Sequence, residues 1–191
     1  MTERRPDTSP EVVFVGGVPG AGKSTVLRRL PATPGTTVLD PEQVTAALRA
    51  RLGPAVPYRW LRPVVHAVQY LRVLGHLLAP RPDLRRLLVH DTATRPWLRH
   101  LEAQLARRCG WRTTLVLIET SRAEALAGQR ARGRVLDPRR FDGHWERWLR
   151  LRAQLGADPV VPPQPPWDRV VLTTRVGAPD VLRSQPTALG A

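Results

Sequence analysis

The 191-residue sequence has one cysteine and one methionine, few aromatic side chains and no asparagine. The single cysteine, Cys109, excludes an internal disulfide and a zinc site built from several cysteines, and such cysteine usage is typical of a reducing compartment. No apolar run reaches the roughly 18 residues that a membrane span needs, and the charged start lacks a signal-peptide core. These absences predict a cytoplasmic protein without a membrane partner.

Lysine is also nearly absent, because Lys23 is the only one among 30 basic residues. The 16 acidic residues leave a formal net charge of +14. Two interpretations of this charge stay open: compositional bias that gives a solvated arginine-rich surface, or a polyanionic partner such as nucleic acid. In a chain that otherwise uses arginine, one retained lysine indicates a position that needs a compact ammonium group.

The lone lysine lies in the segment GVPGAGKST, which matches the phosphate-loop pattern G-x-x-x-x-G-K-[ST]. A short β-rich apolar run, residues 11–15, precedes the loop, and apolar residues at helical spacing follow it, so the loop has the expected strand-loop-helix context. Backbone N–H groups of such a loop and the following helix N-terminus bind phosphates. The predicted ATP-binding residues are therefore Gly17, Gly20, Ala21, Gly22, Lys23, Ser24 and Thr25.

Two residues of this loop have specific predicted roles. Lys23 is expected to reach the β- and γ-phosphates, and the hydroxyl group of Ser24 is expected to ligate Mg²⁺. Thr25 is weaker evidence, because a threonine in the first turn of a helix needs no ligand to explain it.

The rest of the chain alternates between strand and helix patterns, which predicts a parallel sheet covered by helices on both faces. Strands are expected at 36–39, 86–90, 113–119 and 169–173, and helices at 41–52, 60–78, 97–108, 121–132 and 141–155. A break near Pro63 and a proline-rich loop at 158–166 are also expected. These elements make one domain over residues 1–176, with a loosely attached tail at 177–191.

Acidic residues follow two of the predicted strands, at the edge where open α/β sheets bind ligands. Asp91 is expected to hold Mg²⁺ through water, although a simple turn residue is the other interpretation. Asp40 has two interpretations of equal weight. Pro41 and Gln43 after it predict a helix N-cap, whereas its position near the γ-phosphate favours a base or orienter for an acceptor hydroxyl group.

Five arginines are concentrated between residues 130 and 140, namely Arg130, Arg132, Arg134, Arg139 and Arg140. They are either solvated surface or part of a lid over about residues 128–140 that neutralises charge on the migrating phosphoryl group. Arg130 and Arg134 are four residues apart and can share a helix face, whereas Arg132 points elsewhere if the helix persists.

The remaining aromatic and sulfur-bearing candidates favour structure over chemistry. Trp145 and Trp148 lie at helical spacing and are interpreted as core residues, with a stacking platform for a base as the alternative. His66 and His76 have no carboxylate at ligand spacing, so no metal site is assigned to them. Cys109 is interpreted as a small buried apolar residue.

The order of these features resembles that of the small P-loop kinases, and within them the polynucleotide-kinase and zeta-toxin-like group, whose bacterial members are often called AAA-family ATPases or ATP-binding proteins. The resemblance covers about residues 11–174 and consists of the loop, Leu39-Asp40, Val89-His90-Asp91-Thr92 with Thr94-Arg95, and the segment QRARGR at 129–134. It implies a three-layer α/β/α fold with a five-stranded parallel sheet in the order 2-3-1-4-5 and a helical acceptor-side segment at about 53–82. It also implies Mg²⁺ and ATP as cofactors, Asp40 as the acceptor contact, and Arg130 and Arg134 as lid arginines.

Departures from related classes narrow the function. His90 interrupts the strand that carries the Walker B aspartate, and Thr92 stands where a ring-forming AAA ATPase has a second acidic residue. The absence of asparagine removes both the asparagine sensor of those rings and the guanine-specific N-K-x-D motif, and no H-R-D or D-F-G motif of a protein kinase occurs. The expected activity is transfer of the ATP γ-phosphoryl group to a hydroxyl group of a small molecule. A nucleic-acid end kinase and a regulatory ATPase without an acceptor are the alternatives.

Overall fold

The computed structural model describes residues 9–53, 55–91, 96–133, 136–155, 160–161 and 166–184. The strands are β1 (Glu11–Gly16), β2 (Thr36–Leu39), β3 (Arg86–His90), β4 (Arg112–Glu119), β5 (Val160–Val161) and β6 (Arg169–Thr174). The helices are α1 (Lys23–Arg29), α2 (Pro41–Leu52), α3 (Tyr58–Leu78), α4 (Pro96–Arg108), α5 (Arg122–Arg130), α6 (Pro138–Gln154) and α7 (Ala178–Arg183). Strands and helices alternate as the sequence patterns predict, so the three-layer α/β prediction is confirmed.

The sheet has the order β2-β3-β1-β4-β6-β5, and its first five strands are parallel. Numbered as predicted, these five strands have the order 2-3-1-4-5, so that prediction is confirmed. The sixth strand, β5, pairs antiparallel with β6 at the sheet edge and lies inside the segment predicted as a proline-rich loop. Two residues are too few to produce a readable strand pattern, which is why β5 was not predicted.

The core lies on both faces of the central strands. Residues 12–15 of β1 and residues 115–118 of β4 are buried along their whole length, as expected for parallel strands covered by helices on both sides. Trp148 is buried in this core, while Trp145 and Cys109 are partly buried against it. The interpretation of these three residues as packing groups is therefore confirmed.

The first residues of three helices follow from capping residues in the local sequence. Asp40 and Gln43 form a capping box at the start of α2, and Ser121 and Glu124 form another at the start of α5. Asp137 caps α6, which begins at Pro138 and so extends three residues before the predicted start.

Pro63 does not break α3, which runs without interruption from Tyr58 to Leu78. The proline lies in the second turn on an exposed face, where the missing N–H group costs a single backbone hydrogen bond. No helix among the described residues is long and apolar enough to cross a membrane.

The carboxyl-terminal segment is attached to the domain over residues 177–184. Ala178 and Leu182 of α7 are buried in the core, and the guanidinium of Arg86 donates a hydrogen bond to the Leu182 carbonyl oxygen at 2.6 Å. The prediction of a loosely attached tail is therefore wrong for this part, because six residues of helix give too short a periodic pattern to be recognised. Residues 185–191 lie outside the described residues.

Candidate active site

The phosphate loop turns sharply between β1 and α1, and two of its glycines are required by the geometry. Gly20 has a φ of 94°, and a Cβ atom there would lie 2.0 Å from the carbonyl oxygen of Ala125 in α5. Gly22 has a φ of 96°, and a Cβ atom there would lie 2.7 Å from Nε of Arg175. At Gly20 both the left-handed backbone and the α5 backbone exclude a side chain, whereas at Gly22 the left-handed backbone is the constraint, because the Arg175 side chain can move.

Lys23 is buried at the start of α1 and folds back onto the loop. Its Nζ donates hydrogen bonds to the carbonyl oxygens of Gly17 at 2.7 Å and Val18 at 3.1 Å. The pKa of Lys23 is lowered to about 8, chiefly by burial and to a smaller extent by Arg132, while the carboxylates of Asp91 and Asp40 act in the opposite direction. The ammonium group is thus held in a place where a bound phosphate would stabilise its charge.

Asp40 lies at the carboxyl end of β2 and is only 2% exposed. Its Oδ1 accepts a hydrogen bond from the Glu42 backbone N–H group at 2.8 Å, which completes the N-cap of α2. Its Oδ2 is buried and makes no hydrogen bond to any other described residue. Oδ1 therefore caps the helix and Oδ2 does not, so the role of Asp40 as a helix cap leaves Oδ2 for a second contact.

His90 joins Asp40 to the phosphate loop. Its Nδ1 is hydrogen-bonded to the Ser24 hydroxyl group at 3.0 Å and lies 3.4 Å from Oδ2 of Asp40. Burial acts to raise the pKa of Asp40, but His90, the Glu42 N–H group and the Ser24 hydroxyl group outweigh it and lower that pKa to about 2. The residue that interrupts the apolar strand in sequence is thus the one that links the two predicted site residues.

Asp91 follows β3 at the same edge of the sheet. Nη1 of Arg99, in α4, donates to its Oδ2 at 3.1 Å, and both side chains are largely buried. Glu102 lies one turn further along α4, where burial, together with the nearby charge of Asp91, raises its pKa to about 7. Residues 92–95, which include Thr92, Thr94 and Arg95 of the family resemblance, lie outside the described residues.

Arg132 contacts the phosphate loop, whereas helical spacing in the sequence favours Arg130 and Arg134. Arg132 donates to the Thr25 hydroxyl group at 3.1 Å and lies 3.5 Å from a carboxylate oxygen of Glu42. Arg130 is exposed at the last position of α5, and Arg134 lies outside the described residues. Arg132 was expected to point away from the site only if the helix continued through it. Helix α5 ends at Arg130, so Arg132 is free of that helical geometry.

Helix α5 packs directly on the tip of the phosphate loop. A Cβ atom on Gly128 would lie 2.4 Å from the Gly20 carbonyl oxygen, so glycine is needed on both sides of this contact. Gln129 is buried and connects two segments, because its amide donates to the Pro19 carbonyl oxygen at 3.3 Å and accepts from the Leu136 N–H group at 2.9 Å. The position of the loop therefore depends on the segment predicted as a lid.

Arg175 is a further residue of the site that the sequence did not indicate. It follows β6, and its guanidinium donates to the carbonyl oxygens of Ala21 at 3.1 Å and Gly20 at 3.0 Å. The sequence feature that could have identified Arg175 and His90 as site residues is their position at the carboxyl end of a parallel strand.

The oxygen donors at this edge suit Mg²⁺. Ser24 offers a hydroxyl group and Asp91 a carboxylate, and Mg²⁺ prefers hard oxygen ligands, of which proteins usually supply only one or two beside phosphates and water. The donor set therefore fits the metal that the fold family uses.

A family model described as an AAA domain matches residues 12–157. The chain belongs to this family. No curated protein matches the sequence.

Solved structures share the fold at low sequence identity. The PezAT chromosomal toxin-antitoxin system of Streptococcus pneumoniae matches over 92% of this chain and 71% of that chain, with 16% identity and a TM-score of 0.58. The tunicamycin resistance protein of Deinococcus radiodurans matches over 90% and 91%, with 18% identity and a TM-score of 0.52. A protein assigned as a kinase from Chloroflexus aurantiacus matches over 87% and 88%, with 16% identity and a TM-score of 0.54.

Family and fold together make the chain a nucleotide-binding NTPase of the P-loop kinase type, as the sequence resemblance implied. At these sequence identities, the solved structures show that the fold is shared but not that the reaction is.

Proposed function

We propose that the protein transfers the γ-phosphoryl group of ATP to a hydroxyl group of a small-molecule acceptor. The observation that carries the proposal is the buried Oδ2 of Asp40 beside the phosphate loop, which accepts no hydrogen bond of good geometry from the described residues and faces only Nδ1 of His90 at 3.4 Å. A buried carboxylate oxygen without a well-formed hydrogen bond costs free energy, and an acceptor hydroxyl group at this place would supply that bond.

The loop would bind the phosphates of ATP through its backbone N–H groups. Lys23 would leave the carbonyl oxygens of Gly17 and Val18 and pair with the β- and γ-phosphates. Arg132, held at Thr25 beside the loop, would neutralise charge that develops on the migrating group. Ser24 directly and Asp91 through water would hold Mg²⁺, which supplies further charge neutralisation when bound.

Asp40 would orient the acceptor and take its proton. The acceptor oxygen forms a bond to the γ-phosphorus while the bond from that phosphorus to the β-γ bridging oxygen breaks, so ADP leaves and the hydroxyl proton passes to Oδ2 of Asp40. A carboxylate with a pKa of about 2 is a weak base. It suffices here because phosphoryl transfer has a loose transition state in which the attacking hydroxyl group loses its proton late.

The lid roles of Arg130 and Arg134 stay predictions. Arg132 is better supported as a phosphate-side arginine because of its contact with Thr25.

The test is transfer of a labelled γ-phosphoryl group to fractionated pools of metabolites. We expect a labelled product with the unaltered protein and about hundredfold slower formation with Asp40→Asn, since general-base groups commonly contribute at least that much. Acceptor-independent release of phosphate should change far less. The matched control is Asp180→Asn, which alters an exposed carboxylate far along the chain in α7.

Three results would contradict the proposal. Phosphate release without a labelled product in any pool would indicate a regulatory ATPase, and labelling of a 5′-hydroxyl oligonucleotide alone would indicate a nucleic-acid end kinase. Equal loss of transfer and hydrolysis in Asp40→Asn, with a lower melting temperature, would leave Asp40 only its role as a helix cap.

A further inference from the structure

Helix α3 has apolar residues on two opposite faces. One face is buried in the protein and includes Leu61, Val65, Val73 and Leu77. The opposite face has a second row of apolar residues, which we call the outer stripe and which consists of Trp60, Val64, Ala67, Leu71, Leu74 and Leu78. With 3.6 residues per turn, these six positions fall within about 80° of the helix circumference. A helix that is apolar on both sides needs a partner on each side.

The outer stripe is exposed to solvent. Trp60 and Leu71 are each 68% exposed. Leu78 is 61% exposed and Val64 is 47% exposed. Nine large apolar residues are exposed among the described residues, and these four share one face of one helix. Together they leave on the order of 500 Å² of surface in water, and a contiguous apolar patch of this size commonly marks an interaction site.

The outer stripe and the positions beside it have no charged residue, although the chain has a formal net charge of +14. The flanking positions on the helix surface are Pro63, Val68, Tyr70 and Gly75. The arginines of α3 all lie elsewhere on the helix, at Arg59, Arg62 and Arg72. An uncharged face of this kind fits an apolar partner and not a polyanion.

The spacing of the outer stripe is symmetric about its midpoint. Its residues follow one another at intervals of four, three, four, three and four, the alternation by which two helices pack side by side. Reversing the direction leaves this series unchanged. In an antiparallel pair of α3 helices, Trp60 therefore meets Leu78 of the other copy, Val64 meets Leu74, and Ala67 meets Leu71. The stripe is complementary to itself, as a twofold interface between identical chains requires.

The same alignment accounts for a glycine inside α3. Glycine is less favourable than alanine within a helix, and a Cβ atom on Gly75 would meet no atom within 4 Å. Packing within one chain therefore does not explain this glycine. In the antiparallel pair, Gly75 lies opposite Pro63 of the other copy, which is exposed. The missing side chain leaves room for the proline ring.

Charge favours the antiparallel direction over the parallel one. Arg59 and Arg62 are exposed near the amino-terminal end of α3. A parallel pair would bring these arginines of the two copies together. An antiparallel pair instead places them beside the carboxyl-terminal end of the partner helix, where the helix dipole is negative.

The parts of this sequence that the structure does not describe contain no segment that matches the stripe. Residues 1–8 have only Met1, and residues 185–191 have only Leu189, as a large apolar side chain. Each shorter undescribed range has at most one such residue. The stripe is about 27 Å long at 1.5 Å per residue, so one apolar side chain cannot cover it.

We infer that the protein forms a homodimer in which the outer stripes of two α3 helices pack antiparallel about a twofold axis near residue 69. Association would bury about 1,000 Å² in total, which is close to the lower limit for a specific interface. The dimer should therefore be reversible, with a dissociation constant in the micromolar range. This inference does not depend on the proposed reaction, because no residue of the outer stripe belongs to the candidate active site.

Sedimentation velocity over about 1 to 200 µM protein measures this association. We expect a reversible shift from one chain to two as the concentration rises. Leu71→Glu should weaken the dimer about hundredfold or more, because a twofold interface contains each buried charge twice. The matched control is Leu149→Glu, which changes a leucine of α6 that is 50% exposed and should leave association unchanged. Thermal melting confirms that both variants are folded.

Cysteine pairs test the direction of the two helices, in a Cys109→Ser background. Val64→Cys combined with Leu74→Cys should give a disulfide-linked dimer on mild oxidation, because the two positions face each other across the antiparallel interface. Neither single variant should cross-link, since its two copies would lie about 15 Å apart along the helix axis, beyond the reach of a disulfide.

Three outcomes would overturn the inference. The first is a monomer at every concentration up to about 200 µM, where a micromolar dimer would be populated. The second is a dimer that Leu71→Glu weakens no more than Leu149→Glu does. The third is efficient cross-linking of either single-cysteine variant, because identical positions would then face each other and the helices would be parallel.

Discussion

Buried charged side chains lie at both ends of the central sheet. A carboxylate at one end has a hydrogen-bond partner for each of its oxygens, and a carboxylate at the other end does not. At the amino-terminal end, Glu11 has a partner for each carboxylate oxygen, Arg86 at 2.9 Å and Thr114 at 2.7 Å. At the carboxyl-terminal end, the Lys23 ammonium group contacts only carbonyl oxygens among its described hydrogen-bond partners. Oδ2 of Asp40 accepts no hydrogen bond of good geometry from the described residues and faces Nδ1 of His90 at 3.4 Å. Both ends are equally enclosed, so burial alone does not explain the difference.

The difference separates groups that stabilise the fold from groups that wait for a ligand. A buried network in which every atom is satisfied stabilises the folded state and leaves little for a ligand to add. The carboxyl-terminal end retains unsatisfied atoms and a lysine whose pKa is lowered to about 8, features that cluster at functional sites. Mutations at the two ends should therefore change different observables.

Lys23→Ala is expected to have the largest effect. Turnover of ATP should fall about 10³-fold, because the β- and γ-phosphates lose their fixed counter-charge and such positioning groups contribute several kcal/mol to transition-state stabilisation. The melting temperature should change little or rise, because the buried ammonium group costs free energy in the absence of ligand. Steady-state phosphate release and thermal melting measure the two effects, and turnover within about threefold of the unaltered protein would refute this role for Lys23.

Glu11→Gln should give the opposite result at the amino-terminal end. Removal of the carboxylate leaves Arg86 largely buried without its counter-charge, so the free energy of unfolding should fall by about 3 kcal/mol. ATP turnover of the folded fraction should be unchanged. Denaturant unfolding and phosphate release on the same sample check both expectations, and a variant of normal stability with impaired turnover would reverse the assignment of the two ends.

Glu102→Gln should raise stability, unlike Glu11→Gln. The folded protein raises the pKa of Glu102 from 4.5 to about 7 because the carboxylate is buried near Asp91. The ionised form is therefore disfavoured in the folded state, so this residue lowers stability progressively as the pH rises from about 4.5 through about 7. Relative to the unaltered protein, the variant should gain about 2 kcal/mol at pH 8 and much less at pH 5. Unfolding curves at the two pH values measure this, and an equal change at both would be inconsistent with the raised pKa.

The affinity for ATP should depend on pH through Lys23. Bound phosphates would raise the pKa of this lysine above its value of about 8 in the ligand-free protein, so binding takes up a proton where the free lysine is neutral. Affinity should be constant up to about pH 7 and about tenfold weaker at pH 9. Calorimetric titration with Mg²⁺-ATP gives the affinities. Lys23→Ala should remove the dependence, and a dependence that persists in that variant would assign it to another group.

The sequence predicted most of the fold because parallel strands buried on both faces form continuous apolar runs. It also predicted α2 within its observed bounds, since Asp40, Pro41 and Gln43 form a local start signal. The two missed elements, β5 and α7, have two and six residues and gain their stability from the strands and core beside them. Short elements of this kind depend on tertiary contacts that no local pattern contains.

The site was predictable only where its residues are neighbours in sequence. The loop from Gly17 to Thr25 is one local motif, in which glycine is required at Gly20 by the nearby backbone of Ala125 and at Gly22 by the left-handed backbone. His90, Arg132 and Arg175 reach the loop from distant segments. Helical spacing favoured Arg130 over Arg132 because α5 was expected to be longer. The helix ends at Arg130, and Arg132 is the arginine that contacts the loop.

The most direct test is a crystal structure of the protein with Mg²⁺ and AMP-PNP. We expect Nζ of Lys23 to leave the carbonyl oxygens of Gly17 and Val18 and to lie within about 3 Å of β- and γ-phosphate oxygens, with Asp40 Oδ2 facing the γ-phosphate. A structure in which Lys23 keeps both carbonyl contacts while the nucleotide binds elsewhere would contradict the assignment of this loop as the ATP site.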